Sequence, residues 1–235
     1  MNKEGVIIMG DEVLFSAAKG AETDKRQSIA TILAIVAIDP SKNGENARNP
    51  MLWTTLEKRS KPETEKFAGQ ISLPAETRKL GENKLSNMLG ALPEFSENSD
   101  LIRELIFMQS PTSYIEGRIS VSNSPVDLAV LLVNGFPTAP IVPLDANEVA
   151  ANGWMSMNEI EALHQTNPSR LRGFMGQVIA MERADMVIHR VVEDYFQHPE
   201  KRFPLSERLP SNFSMLDFYN QREMTADVVG AKPNK

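Results

Sequence analysis

The chain has 235 residues, of which 41% are hydrophobic and 24% charged, a balance typical of a globular protein that can bury a core, so one domain plus an appendage is the natural reading. Its formal net charge of −6 argues against a general polyanion binder, and no nucleic-acid partner is expected, while a local basic pocket for a small phosphate ligand stays open. The absence of cysteine excludes a disulfide framework, a thiolate metal site and a Cys nucleophile, and fits a reducing cytoplasm.

At the N-terminus, Lys3 and Glu4 precede only a short apolar run at 6–9, which is not a signal-peptide pattern. The longest apolar run, 29–38, falls far short of the roughly 20 residues a bilayer crossing needs, so a soluble, cytoplasmic protein with no membrane partner is expected. Residues 5–18 read as a strand pair turning at Met9-Gly10-Asp11-Glu12, and 29–38, rich in β-branched residues, as a buried central strand. A polar loop at 40–50 leads to a strand at 51–57. The cationic run Lys58-Arg59-Ser60-Lys61 closes it and reads either as a rim for ligand phosphates through Arg59 and Lys61, or as a solvated loop balanced by Glu57, Glu63 and Glu65.

Further on, Pro93 predicts a helix break near Leu92, because proline removes a backbone donor and clashes with the preceding turn. Residues 101–109 read as a helix ended by Ser110-Pro111, and 114–121 and 126–133 as strands, the second buried on both faces. Pro137, Pro140 and Pro143 mark an irregular crossing. Ser156 is placed to cap a helix, with Glu159 completing a capping box. The apolar spacings of 3 and 4 through 169–196 predict one long amphipathic helix. His164, His189 and His198 share no metal-ligand spacing and read as surface or packing residues. The main domain is expected over 1–199. In the remainder, 200–235, Ser214 caps a short helix through Arg222, with Met215, Phe218 and Tyr219 on one face, docking on its own domain or on a second copy in a homodimer; the tail 225–235 predicts no order.

The stretch 67–98 resembles a Nudix box, Gly-x5-Glu-x7-Arg-Glu-U-x-Glu-Glu-x-Gly-U, with U a bulky aliphatic residue. The lead-in Gly69-Gln70-Ile71-Ser72-Leu73-Pro74 is intact, and Gly81-Glu82 falls at the motif's Gly-Glu. The rest departs. Ala75 and Glu76 replace a glycine pair, Gly90 stands where the motif has an Arg that pairs with a box carboxylate, and Ala91 and Phe95 replace two of three carboxylates, leaving Glu94. Downstream, Glu148 matches a Glu that serves some members as metal ligand or general base, and Trp154-Met155-Ser156 with Glu159 matches a family helix start.

The resemblance implies an α/β fold, a Nudix-like α/β/α sandwich with a mixed β-sheet between helices. It also implies a nucleoside-diphosphate-linked ligand and, in an active member, Mg²⁺ or Mn²⁺ on hard oxygen ligands to offset charge developing on phosphate. Glu94 and Glu148 are the candidate catalytic residues; Arg59, Lys61, Gln70 and Glu76 are candidates for ligand binding. Glu82, Glu94 and Glu97 are candidate metal ligands. Glu94, Glu97, Asp100 and Glu104 could line one helix as a relocated metal site, or simply form a solvated acidic face near a helix start. Three functions stay open: a ligand-binding member with hydrolysis weakened or lost, an active hydrolase using substitute carboxylates, and an interaction protein that keeps only the fold.

Overall fold

The computed structural model describes residues 8–9, 12–13, 28–38, 49–58, 67–109, 113–137, 141–144 and 148–224. Most of the expected loop at 40–50, Arg59, Lys61 and the tail 225–235 lie outside the described residues, as does most of the 5–18 strand pair. Of that pair, β1 (Ile8–Met9) and β2 (Glu12–Val13) are described, antiparallel to each other.

The core is built on β3 (Ala30–Ile38) and β9 (Ser124–Asn134), the two apolar runs, which lie side by side in parallel from Thr31↔Asp127 to Ile38↔Asn134. Parallel neighbours buried on both faces are expected to be largely apolar, and apart from Thr31 in β3 and Ser124, Asp127 and Asn134 in β9 these are. On one side β3 pairs antiparallel with β4 (Met51–Glu57), and β4 with β10 (Val149–Ser156). On the other side β9 pairs with β7 (Ile106–Gln109), and β7 with β11 (Arg202–Pro204). The sheet order is therefore β10-β4-β3-β9-β7-β11. Short β5 (Ile71–Ser72) and β6 (Ala75–Thr77) join β4 and β3, and β8 (Tyr114–Val121) joins β9.

Alternation along β3 divides the core between two faces. Ile32, Ala34, Val36 and Ile38 meet one helical layer, formed by α3 (Met157–Thr166), α4 (Met175–Asp185) and α5 (Val187–Gln197). Leu33 and Ile35 meet the other, formed by α1 (Lys84–Gly90), α2 (Ser99–Leu105) and α6 (Met215–Glu223). The result is a mixed sheet between two helical layers, the α/β/α sandwich expected. No helix among the described residues is long and apolar enough to cross a membrane.

Several expectations need correction. The helix at 101–109 ends at Leu105; Ile106-Phe107-Met108-Gln109 instead forms β7, because β9 and β11 offer it partners on both sides. The long helix over 169–196 is two helices broken at Met186, which takes a left-handed backbone with φ of 52°. Buried Glu182 holds the break: its carboxylate accepts the Ile188 N–H at 2.7 Å and pairs with the His189 ring. The four carboxylates from Glu94 to Glu104 do not share a helix, since Glu94 sits in a 3₁₀ turn and α2 starts only at Ser99, capped by Asn98. The short helix expected after Ser214 forms as α6 and packs Met215 and Phe218 into the second core layer, and β11 adds a strand to the sheet.

Candidate functional site

The box segment begins with a turn that only glycine makes easily: Gly69 has φ of 79°, and Gly81 has φ of 84°. Asn83 then caps α1 by accepting the Ser86 N–H at 2.8 Å. The helix ends at Gly90, and Pro93 sits inside the 3₁₀ turn Leu92–Glu94, the break that proline predicts. Ala91 and Phe95 occupy two positions where the resembled motif has carboxylates. Both are fully buried, and Phe95 meets Trp53 edge-on with centroids 5.2 Å apart. These two positions are core.

Glu94 is half-buried between them, and its Oε1 accepts the Ala75 N–H at 3.0 Å. Burial pushes its carboxyl well above the usual range; the Ala75 hydrogen bond opposes this, and the charges of Glu57, Glu76 and Glu148 add to the rise. Glu57, at the end of β4, is also raised, mainly by burial, although Arg172 approaches its Oε1 at 2.9 Å. The backbone joins Glu148 to the same place, its carbonyl accepting the Lys58 N–H at 2.8 Å.

The other sequence candidates are placed differently. Glu82 is buried, and both its oxygens are engaged: Oε1 by Arg222 Nε at 2.6 Å, Oε2 by Arg222 Nη2 at 3.1 Å and by the Lys79 N–H at 2.8 Å. Glu76 faces Arg222 Nη1 at 3.1 Å, and burial raises its carboxyl despite that cation. Glu97 is exposed, its N–H bonded to the Val142 carbonyl. Gln70 donates from Nε2 to the Ser169 carbonyl at 3.1 Å, tying the lead-in to the turn at Pro168–Arg170. Mg²⁺ or Mn²⁺ requires converging oxygens. Glu82, Glu94 and Glu97 do not supply them: Glu82 is spent on Arg222, and among the described residues no three His, Asp or Glu side chains are grouped to hold a metal ion.

Beside Glu94 the sheet presents an aromatic wall. Trp53, Thr55 and Glu57 alternate along β4 and so share a face. Trp53 Nε1 and Thr55 Oγ1 are buried without a hydrogen-bond partner. Across the strand pair, Trp154 lies opposite Trp53, edge-on at 5.1 Å, and exposed Phe136 packs on Trp154 at 5.6 Å. On the opposite face of β4 and β10 a cleft of about 270 Å³ opens between Thr54, Leu56, Ile71, Gly153, Met155 and Arg170.

Sequence reasoning missed Glu57 and Arg222. Glu57 carried a signal, since its parity along 51–57 sets it with Trp53 and Thr55. Arg222 carried none beyond being a cation on the buried face of a short helix.

No family model matches the chain, and no curated protein matches its sequence. Solved structures similar to it include the Nudix hydrolase RenU from M. smegmatis, at 12% identity and a TM-score of 0.43, covering 76% of this chain and 92% of that one. The Nudix domain of Shewanella oneidensis NrtR, solved with ADP ribose, matches at 12% identity and a TM-score of 0.42, covering 72% and 95%. A C. elegans Ap4A hydrolase in a binary complex matches at 10% identity and a TM-score of 0.40, covering 66% and 98%. These are likenesses of outline, and the chemistry has to come from this chain's own side chains. Two of these similar structures are a Nudix hydrolase and a Nudix domain.

Proposed function

We propose that this is a divergent Nudix-type protein that binds a nucleoside-diphosphate-linked small molecule, with hydrolysis weakened or lost. The observation that carries this reading is the burial of Ala91 and Phe95 in the core, with Glu94 left as the single carboxylate of its turn. A segment that uses those positions for packing has lost two of the motif's three metal-ligating carboxylates. The orphaned Trp53 Nε1 and Thr55 Oγ1, with Trp154 and Phe136 alongside, offer hydrogen bonding and an aromatic surface suited to a nucleoside. Arg59 and Lys61 would meet its phosphates, with Gln70 and Glu76 at the edge of the same site and Glu148 beside Glu94. No hydrolytic step is assigned to a metal, because the residues expected to hold one are not brought together.

The test is calorimetric binding of ADP-ribose and of a dinucleoside polyphosphate, beside product release from the same compounds with Mg²⁺ or Mn²⁺, for wild type and Glu94→Gln. Binding without turnover supports the proposal. Metal-dependent turnover lost in Glu94→Gln would overturn it in favour of an active hydrolase. One observation favours that second reading: the charges of Glu57, Glu76 and Glu148 all reach Glu94.

A further inference from the structure

Arg222 is a fully buried arginine on the last turn of α6, and its surroundings are built for it. It lies against Gly90, the last residue of α1. A Cβ on Gly90 would fall 2.5 Å from Arg222 Nε and 2.6 Å from Cζ, closer than real contacts allow. The missing side chain at 90 is therefore the space the guanidinium fills.

From that space the guanidinium reaches both ends of one segment. Nε and Nη2 grip the Glu82 carboxylate, Nη2 also donates to the Thr77 carbonyl, and Nη1 lies 3.1 Å from Glu76 Oε1. Burial alone would lower its proton affinity, yet the Glu76 and Glu82 charges outweigh that and hold the cation more firmly than usual. Within the segment, Arg78 braces the chain by donating from Nε and Nη2 to the Glu82 carbonyl, at 2.9 and 2.6 Å. At the start of the segment, the Ala75 N–H donates to Glu94. α6 itself is anchored: the Met215 N–H bonds Ser99 Oγ at 2.8 Å, Phe218 is buried, and Glu223 pairs with Lys79 at 3.3 Å.

We infer that Arg222 is a positioning residue of the candidate site, supplying from the C-terminal helix the guanidinium that Gly90 lacks, and that docking of α6 thereby sets segment 75–82 and the Ala75 donor to Glu94. The site is then coupled to the C-terminal helix, so that whatever displaces α6 loosens the segment beside Glu94. The functional consequence, though not the placement, rests on the ligand-binding proposal above.

The experiment uses the full chain as wild type, Arg222→Ala, Arg222→Lys and the relocated pair Gly90→Arg with Arg222→Ala. Amide hydrogen exchange is read over 75–82, with α3 to α5 on the opposite face as the internal control. Arg222→Ala is expected to speed exchange in 75–82 about tenfold or more relative to that control, and the relocated pair to restore protection. In a wild type that binds ADP-ribose, Arg222→Ala is expected to weaken affinity about fivefold or more, again with recovery in the relocated pair. Unchanged protection over 75–82 in Arg222→Ala overturns the inference, and so does a relocated pair no better protected than Arg222→Ala. If Arg222→Ala does not fold, Arg222→Lys decides. A point charge cannot span Glu82 and Glu76 together, so selective loosening of 75–82 supports the inference, and wild-type protection there overturns it. A wild type that fails to bind ADP-ribose counts against the ligand proposal alone, since the exchange comparison still decides the placement.

Discussion

Returning a carboxylate to position 95, where the resembled motif carries one, should damage the protein rather than repair it. Phe95 is fully buried and meets Trp53 edge-on at 5.2 Å. Truncation alone, Phe95→Ala, removes a buried aromatic and leaves a cavity, costing about 3–5 kcal/mol. For a chain of this size that lowers Tm by roughly 6–20 °C. Phe95→Glu adds the penalty of holding a carboxylate in an apolar core, which is several kcal/mol unless the group stays protonated. The sum is comparable with the about 5–15 kcal/mol that holds an ordinary domain together, so this variant is expected to be unfolded or nearly so at neutral pH. Urea denaturation of wild type, Phe95→Ala and Phe95→Glu, followed by tryptophan fluorescence, measures the series, with Mg²⁺-dependent hydrolysis assayed alongside. A Phe95→Glu protein within about 1 kcal/mol of wild type, or one that gains metal-dependent turnover, would refute the argument that this turn has become core.

Further outcomes follow from particular side chains. Glu94 binds its proton more tightly when folded, chiefly through burial, so its contribution favours folding below the usual carboxylate range and is lost as pH rises through the folded-state value. Glu94→Gln keeps an acceptor for Ala75 but cannot ionise. Its stability relative to wild type should therefore rise in urea melts as pH climbs above the usual carboxylate range, and a constant gap would show that Glu94 is not perturbed. Met186 holds a left-handed backbone between α4 and α5 and is exposed, so Met186→Gly should stabilise by up to about 1 kcal/mol, whereas a loss of stability would place the side chain in the packing. Ser156 caps α3 in a capping box with Glu159, and Ser156→Ala should cost about 1 kcal/mol by chemical denaturation; no change would mean the cap is redundant.

What the chain declares locally it declares well, because the physics involved spans only a few residues. The apolar runs of β3 and β9, the cap at Ser156 and the break around Pro93 all follow from backbone preferences and short periodicities. So does the fate of the box, since Ala91 and Phe95 are apolar and cannot ligate a metal ion wherever the fold puts them. Where two local tendencies compete, tertiary partners choose between them. Residues 106–109 join a sheet because β9 and β11 flank them, and the helix past 175 breaks where Glu182 can cap its second half. The clamp of Arg222 on Glu82 and the Ala75 hydrogen bond to Glu94 belong wholly to the tertiary structure. A guanidinium and a carboxylate far apart in sequence leave no periodicity to read. Only the packing of α6 against Gly90 desolvates them together, and desolvation is what makes that pairing obligatory.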